Sequence, residues 1–279
     1  MRTKRVRTRA GKRMARPKRR RLDYELVEQG LFASVDDAMR AVLAGEVSTS
    51  DRRLTAPGTM VKPGIFLHVK GHVPYVSRGG LKLEHGLRSF GVDPSGLDCL
   101  DVGCSTGGFT DCLLRHGASS VLAVDVGYAQ FGWSLRQDAR VTLVERTNVL
   151  DLPQMAEARM VDLAVCDVSF TSVLTVLPAV SALLRAEGRF LTLVKPQFEA
   201  TREEVGEGGV VRSEDVRSQA LERVKQGLLQ AGYEILGTCD SPIRGRKGNK
   251  EYLLLCKKRS SQNTPLMSSE GWKLDSKRS

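Results

Sequence analysis

The stretch LDCLDVGCSTGGFTDCLL, residues 97–114, constrains the fold more than any other part of the chain. Its apolar start, with small and β-branched residues, reads as a buried strand. Its glycines read as a tight turn, and its end as the first turns of an amphipathic helix. Asp101, Gly103, Gly107 and Gly108 stand where that strand ends and the chain reverses. Glycine there lets backbone approach a ligand closely, and the helix N-terminus offers N–H groups without internal partners. The alternation continues downstream. Strands are expected at 97–102, 121–125, 141–145, 161–167 and 189–195, with helices at 108–116, 130–137, 171–184 and 213–232. A helix at 82–90 precedes them, and strands at 234–239 and 252–256 close the series. Such alternation means parallel crossovers with helices on both faces, an α/β fold whose ligands sit outside the carboxyl ends of the strands.

The net charge of +11 lies at the chain's ends. Residues 1–21 carry twelve Lys or Arg and no acid, whereas residues 22–256 sum to −5. A basic run without apolar periodicity is expected to be a disordered extension that attracts phosphate backbones. Residues 260–279 are expected to be a disordered tail. The chain has no run of about 18 apolar residues and no apolar segment after its basic start, so neither a membrane span nor a secretory signal is expected. Cys99, Cys104, Cys112, Cys166, Cys239 and Cys256 form no CxxC pair and read as small buried hydrophobes in a reducing cytoplasm. His68, His72, His85 and His116 form no ligand cluster, so no metal is expected.

Residues 22–70 read as a small separate α+β module. Leu22, Leu26, Val27 and Leu31 have helical spacing with Gly30 as a stop. Ser34 is a natural N-cap for a second helix ended by Gly45. Short strand-like pieces follow at 47–49, 60–61 and 65–69, and residues 71–77 read as a linker to the domain at 78–259. The run RLDYELVEQGLFASVDDAMRAVLAGEV, with KPG at 62–64, resembles the RNA-binding module of the S-four type, first known from a small-subunit ribosomal protein. That resemblance implies RNA contacts by Arg21, Arg40 and Lys62. Val35 stands where the family usually has Arg.

At the carboxyl end of the first strand, DVGCSTGG is neither GxGxxG nor a P-loop. Asp125, about twenty residues on, is placed to accept both hydroxyls of a ribose. A ribose-bearing ligand without a phosphate clamp points to S-adenosyl-L-methionine. Asp167 and Lys195 end the fourth and fifth strands and project into one cleft. Lys82 lies on the helix before the first strand, and Glu251 starts the last strand. Two lysines and two carboxylates can then alternate in charge across one site, although an Asp–Lys ion pair of purely structural kind fits the first two as well. Phe109 and Phe170 are assigned to the core. Residues 197–212, with Gly206, Gly208 and Gly209, read as a mobile flap, and Arg244, Arg246, Lys247 and Lys250 as a basic loop leading to Glu251.

This set resembles the FtsJ-like 2′-O-ribose methyltransferases, whose site is a Lys-Asp-Lys-Glu tetrad. The motifs SRGGLKL, LDVGCSTGGFTD, DVSFTSV, LVKPQFE, VGEGGVV and GNKEYLLL are similar to those of the TlyA family. These are bacterial ribosomal RNA cytidine 2′-O-methyltransferases, also called hemolysin A. The resemblance spans residues 22–257. It implies a Rossmann-like methyltransferase fold and S-adenosyl-L-methionine as cofactor. Ribosomal RNA or ribosomal subunits are the implied partners, with no membrane role. It assigns Lys82, Asp167, Lys195 and Glu251 to catalysis, with Lys195 nearest the 2′-oxygen as base or as stabiliser of the alkoxide. It assigns Asp101, Gly103, Ser105, Thr106, Gly107, Asp125, Asn148 and Asp167 to the cofactor. Arg244, Arg246 and Lys247 join the RNA contacts. The alternatives are a membrane-active hemolysin, as the family's second name suggests, and an RNA-binding protein with an inactive core.

Overall fold

The structure, a computed structural model, describes residues 19–29, 31–49, 52–65, 67–71 and 75–260. Residues 1–18, Gly30, His72 and residues 261–279 lie outside them, and with them most of the expected basic extension and tail. The chain divides into two compact units, Met1–His72 and Val73–Ser279.

In the first unit β1 (Arg20–Arg21) precedes α1 (Leu22–Glu28) and α2 (Val35–Leu43). Four short strands follow: β2 (Val47–Ser48), β3 (Arg53–Leu54), β4 (Met60–Val61) and β5 (His68–Val69). Ser34 caps α2 as expected, accepting from the Asp37 N–H at 3.1 Å. Leu22, Leu26, Ala38 and Val42 pack with Val47, Leu54, Val61, Leu67 and Val69 into one core. The expectation of disorder through residue 21 is corrected. β1 pairs antiparallel with β4, and two buried carboxylates hold its arginines: Arg20 on Glu25 at 3.0 Å and Arg21 on Asp23 at 2.6 Å.

Glu25 also accepts from Gln29 Nε2 at 2.8 Å and from the Gly64 N–H at 2.7 Å, which ties the Lys62–Gly64 turn to α1. These donors are partly exposed, so water can replace the lost acceptor and only the net worth of the bonds is at stake. Glu25→Ala is therefore expected to destabilise the first unit by about 1–2 kcal/mol. Native-state hydrogen exchange of the Gly64 and α2 amides reads this directly.

The second unit opens with α3 (Arg78–Phe90), β6 (Asp98–Val102), α4 (Gly108–Arg115), β7 (Ser120–Val124), α5 (Trp133–Arg136) and β8 (Val141–Val144). It continues with β9 (Val161–Cys166), α6 (Val173–Leu183), β10 (Leu184–Val194), α7 (Pro196–Glu199), α8 (Glu214–Gln230), β11 (Tyr233–Asp240) and β12 (Tyr252–Lys258). Seven strands form one sheet in the order β11-β12-β10-β9-β6-β7-β8. Among the described residues, no helix is long and apolar enough to cross a membrane.

Three differences from the sequence reading matter for the site. The helix expected at 82–90 starts at Arg78, because the Ser77 hydroxyl caps it by accepting from the Gly79 N–H at 3.3 Å. The end of the expected 71–77 linker therefore belongs to the second unit: the Val76 N–H donates to Asp111 at 2.8 Å. The sheet is also not wholly parallel. β12 runs antiparallel to both β10 and β11. A parallel pair needs a crossover, usually helical, and the loop between β11 and β12 contains no α-helix. Finally α5 is shorter than 130–137, since Ala129 has φ 59° and Gly132 takes the N-cap.

Candidate active site

The site is built at the carboxyl ends of β6, β7, β9 and β10. The chain leaves β6 through Gly103 (φ 79°), Ser105 (φ 48°) and Gly107 (φ 93°) before α4 starts. A Cβ on Gly107 would come within 2.5 Å of Leu135. Asp125, just past β7, buckles the turn: its carboxylate accepts from the Ser105 N–H at 2.8 Å and the Gly127 N–H at 2.6 Å. The Thr147 N–H donates to the Asp125 carbonyl at 3.1 Å, which brings the end of β8 to the same place. Asn148 is exposed, and its side-chain oxygen is taken by the Leu150 N–H at 3.1 Å.

Asp101 departs from its assigned role. It lies inside β6 with no exposed surface, accepts from the Thr110 hydroxyl at 2.7 Å, and has one oxygen without a hydrogen-bond partner. It cannot touch a ligand here, so its place among the cofactor contacts is corrected. Burial pushes its carboxyl up to about 7, and the charges of Asp167 and Asp125 push the same way. The folded state thus binds a proton that the unfolded chain releases near pH 4. The stability this contributes is fully present below about pH 4 and is lost as pH rises toward 7. The melting temperature of wild type relative to Asp101→Asn is expected to fall as pH rises from 5 to 8, in thermal melts of the ligand-free protein.

The four tetrad residues form two ion pairs, each joining a buried residue, Lys195 or Glu251, to a half-buried one. β9 and β10 are parallel neighbours in register, with Thr192 beside Cys166, so Asp167 and Lys195 emerge side by side. Lys195 Nζ stands 2.6 Å from Asp167 Oδ1. It donates further to the Val168 carbonyl at 2.8 Å and to the Ser169 hydroxyl at 2.9 Å. The ammonium thus donates two hydrogen bonds, and Asp167, whose Oδ1 has no hydrogen-bond partner, adds a charge contact. The second pair joins Lys82 Nζ to Glu251 Oε2 at 2.6 Å, with Glu251 only 3 % exposed. α3 lies close over the sheet, where a Cβ on Gly86 would meet Leu191 at 3.2 Å, and this brings Lys82 to the start of β12. Gly245 is packed against the Glu251 carboxylate so closely that a Cβ would come within 1.9 Å.

Several participants were not legible from sequence. Ser169 and the Val168 carbonyl complete the shell of Lys195. Their only sequence signal is their place directly after Asp167. Phe170, assigned to the core, is 86 % exposed at φ 65° and sits 5.3 Å from the Phe198 ring. Phe109 is buried as expected. Part of the 197–212 stretch expected to be a mobile flap, residues 208–211, is stitched to the loop before Glu251. Asn249 accepts from the Val211 N–H at 3.0 Å and donates to the Gly209 carbonyl at 2.9 Å, and Lys247 donates to the Gly208 carbonyl at 2.7 Å.

Of the residues assigned to RNA, Arg244 donates to the Gly248 carbonyl at 3.1 Å, and Arg246 begins the turn Arg246–Gly248. In the first unit Arg21 is held by Asp23, Arg40 pairs with Asp37 one turn earlier on α2, and Lys62 is exposed.

Comparison with known proteins gives a consistent result. The model of the FtsJ-like methyltransferase family matches residues 75–259. The 16S/23S rRNA (cytidine-2'-O)-methyltransferase TlyA of Mycobacterium tuberculosis is 41% identical over 239 residues, covering 85% of this chain and 89% of that one. Hemolysin A of Brachyspira hyodysenteriae is 38% identical over 234 residues, covering 84% and 98%. A solved structure of a Streptococcus thermophilus protein bearing a hemolysin name superposes with a TM-score of 0.66 at 40% identity, covering 88% of this chain and 90% of that one.

Proposed function

The chain belongs to the FtsJ-like methyltransferase family, in the branch that holds the TlyA and hemolysin A proteins, and on that premise we propose that it methylates the 2′-oxygen of a cytidine ribose in ribosomal RNA, with S-adenosyl-L-methionine as methyl donor. The observation that carries the reading is the presence of two largely buried ion pairs, Lys195–Asp167 at the carboxyl ends of β9 and β10 against the glycine turn, and Lys82–Glu251 between α3 and the start of β12.

The residues fit the donor. Asp125 and Asp167 flank the glycine turn, and a carboxylate cluster there suits a ligand with a sulfonium and an ammonium group. The same cluster disfavours a phosphate-bearing nucleotide. Gly103, Ser105, Thr106 and Gly107 would hold the donor on the turn, Asp125 its ribose hydroxyls, Asn148 its adenine side, and Asp167 the region of the methyl group. When bound, the donor supplies an electrophilic methyl.

The remaining work falls to the chain. A ribose hydroxyl is a poor nucleophile until its oxygen is allowed to become negative. Lys195, held by Asp167, the Val168 carbonyl and Ser169, places a positive charge beside the 2′-oxygen. The 2′-oxygen takes the place of one of its acceptors and is stabilised as charge develops, while its proton passes to the Asp167 carboxylate, whose Oδ1 has no hydrogen-bond partner. Lys82, held by Glu251, orients the ribose from the other side. Phe170 offers an exposed ring face beside the ion pair, the surface on which an unpaired base stacks. Arg21, Arg40 and Lys62 of an S-four-type first unit, with Arg244, Arg246 and Lys247, would hold RNA phosphates, and the protein would act in the cytoplasm on ribosomal subunits.

The test incubates the full chain with isolated ribosomal subunits and methyl-labelled S-adenosyl-L-methionine. Label is expected in the RNA. Label confined to protein, or absent from every subunit preparation, overturns the reading. The phosphate contacts have their own check. Deleting residues 1–18 is expected to flatten the salt dependence of RNA binding, since log Kd changes with log salt in proportion to the phosphates neutralised.

A further inference from the structure

We propose that Glu199 is a positioning residue for Lys195, acting through the loop 168–172 that links β9 to α6. The segment 195–199 grips that loop at three successive points. Lys195 holds its start, through the Val168 carbonyl at 2.8 Å and the Ser169 hydroxyl at 2.9 Å. Phe198 packs on Phe170 at its crown, at 5.3 Å between ring centres. Glu199 holds its end, accepting from the Ser172 hydroxyl at 2.6 Å and from the Val173 N–H at 2.9 Å.

A cap for α6 does not by itself call for this arrangement. Ser172 already caps the helix by accepting from the Leu174 N–H at 3.1 Å. Yet a carboxylate is set there, and burial raises its pKa against the two hydrogen bonds that favour its charge. What the second anchor adds is a fixed end for a loop whose crown, Phe170, is held at φ 65°. A bulky residue leaves that conformation when it is free to do so. If the end is released, the crown relaxes, and the carbonyl and hydroxyl that point the Lys195 ammonium move with it. The groups facing Lys195 are Asp167, the Val168 carbonyl, Ser169 and the Phe198 ring, 5.9 Å away. Those facing Glu199 are Ser172, Val173 and the charge of Arg223.

This inference rests on Lys195 acting as proposed above, so the experiment reads the lysine both with and without turnover. Glu199→Ala and Glu199→Gln are made in the full chain. The Lys195 ammonium is titrated by NMR of protein carrying 13C-labelled lysine, with Lys195→Met assigning the signal. Kinetics are run on ribosomal subunits, and S-adenosylhomocysteine affinity is measured by calorimetry. Glu199→Ala is expected to lower the Lys195 pKa by about one pH unit, because the charged form loses two acceptors. It is expected to lower kcat on the order of 100-fold with S-adenosylhomocysteine affinity unchanged. Glu199→Gln, which keeps one acceptor, is expected to lose less than one tenth of that factor. An unchanged Lys195 pKa in Glu199→Ala overturns the proposal, whatever the reaction. So does a kcat loss that only tracks a loss of folded, ligand-binding protein. A shifted pKa in a chain whose wild type leaves ribosomal RNA unlabelled keeps the positioning role and removes the proposed function.

Discussion

Replacing Lys195 by methionine is expected to lower methyl transfer about 10³-fold while S-adenosylhomocysteine still binds. The substitution keeps the apolar stem and removes the ammonium. What is lost is a positive charge held in place by Asp167, Val168 and Ser169 before substrate arrives. A charge fixed in advance costs no reorganisation when the 2′-oxygen becomes negative, and it acts in a site where water does not screen it. The turn proposed to hold the cofactor follows β6 and is tied to Asp125 after β7, with no bond to this side chain, so affinity for the cofactor product should stay within about twofold by calorimetry. Lys82→Met should cost less, since in the proposed arrangement Lys82 orients the ribose without facing the reacting oxygen. Equal turnover in wild type and Lys195→Met removes Lys195 from the site.

A second large effect is expected at Gly103, where the turn proposed to hold the cofactor meets the backbone of Asp167 and Val168. Its φ of 79° is one that residues with a Cβ avoid at a cost of about 1–2 kcal/mol. A Cβ there would come 3.0 Å from the Asp167 carbonyl oxygen and 3.3 Å from Val168 Cα, which are backbone atoms with little room to move. Gly103→Ala should therefore strain the turn and push Asp167 and Val168 away from Lys195 together. The expected result is a melting temperature lower by about 5 °C, weaker cofactor binding by about tenfold, and a fall in kcat of about 100-fold. Losing affinity and kcat at once distinguishes Gly103 from Lys195, whose removal leaves affinity intact. Calorimetry and steady-state kinetics on one preparation separate the two patterns.

Much of this architecture was readable because each strand of the second unit is a short apolar run that ends in a charged or small residue. Asp125, Asp167 and Lys195 follow their strands directly, so calling the strand also placed the side chain. Glu251 and Lys82 were harder, because their meeting depends on the direction of β12 and on the lie of α3. Neither is coded locally: β12 is antiparallel because no helix separates it from β11, and α3 comes close because Gly86 presents no side chain to Leu191. An Asp167–Lys195 ion pair was one reading the sequence allowed, but the Lys82–Glu251 pair was not readable, since four alternating charges fit several pairings. Asp101 misled for the opposite reason. It stands next to the glycine turn in sequence, but a strand alternates its faces, and this carboxyl points into the core beneath Thr110. Phe170 also misled, because aromatic residues are usually buried. Only the turn after β9 puts this one outside.

The nucleoside composition of the modified RNA tests the central claim most directly. Ribosomal RNA methylated by the wild-type chain is digested to nucleosides and examined by mass spectrometry, beside RNA treated with Lys195→Met. The account predicts 2′-O-methylcytidine in the first digest and its near absence in the second. A methyl group on a base, with no 2′-O-methylated nucleoside, would contradict it.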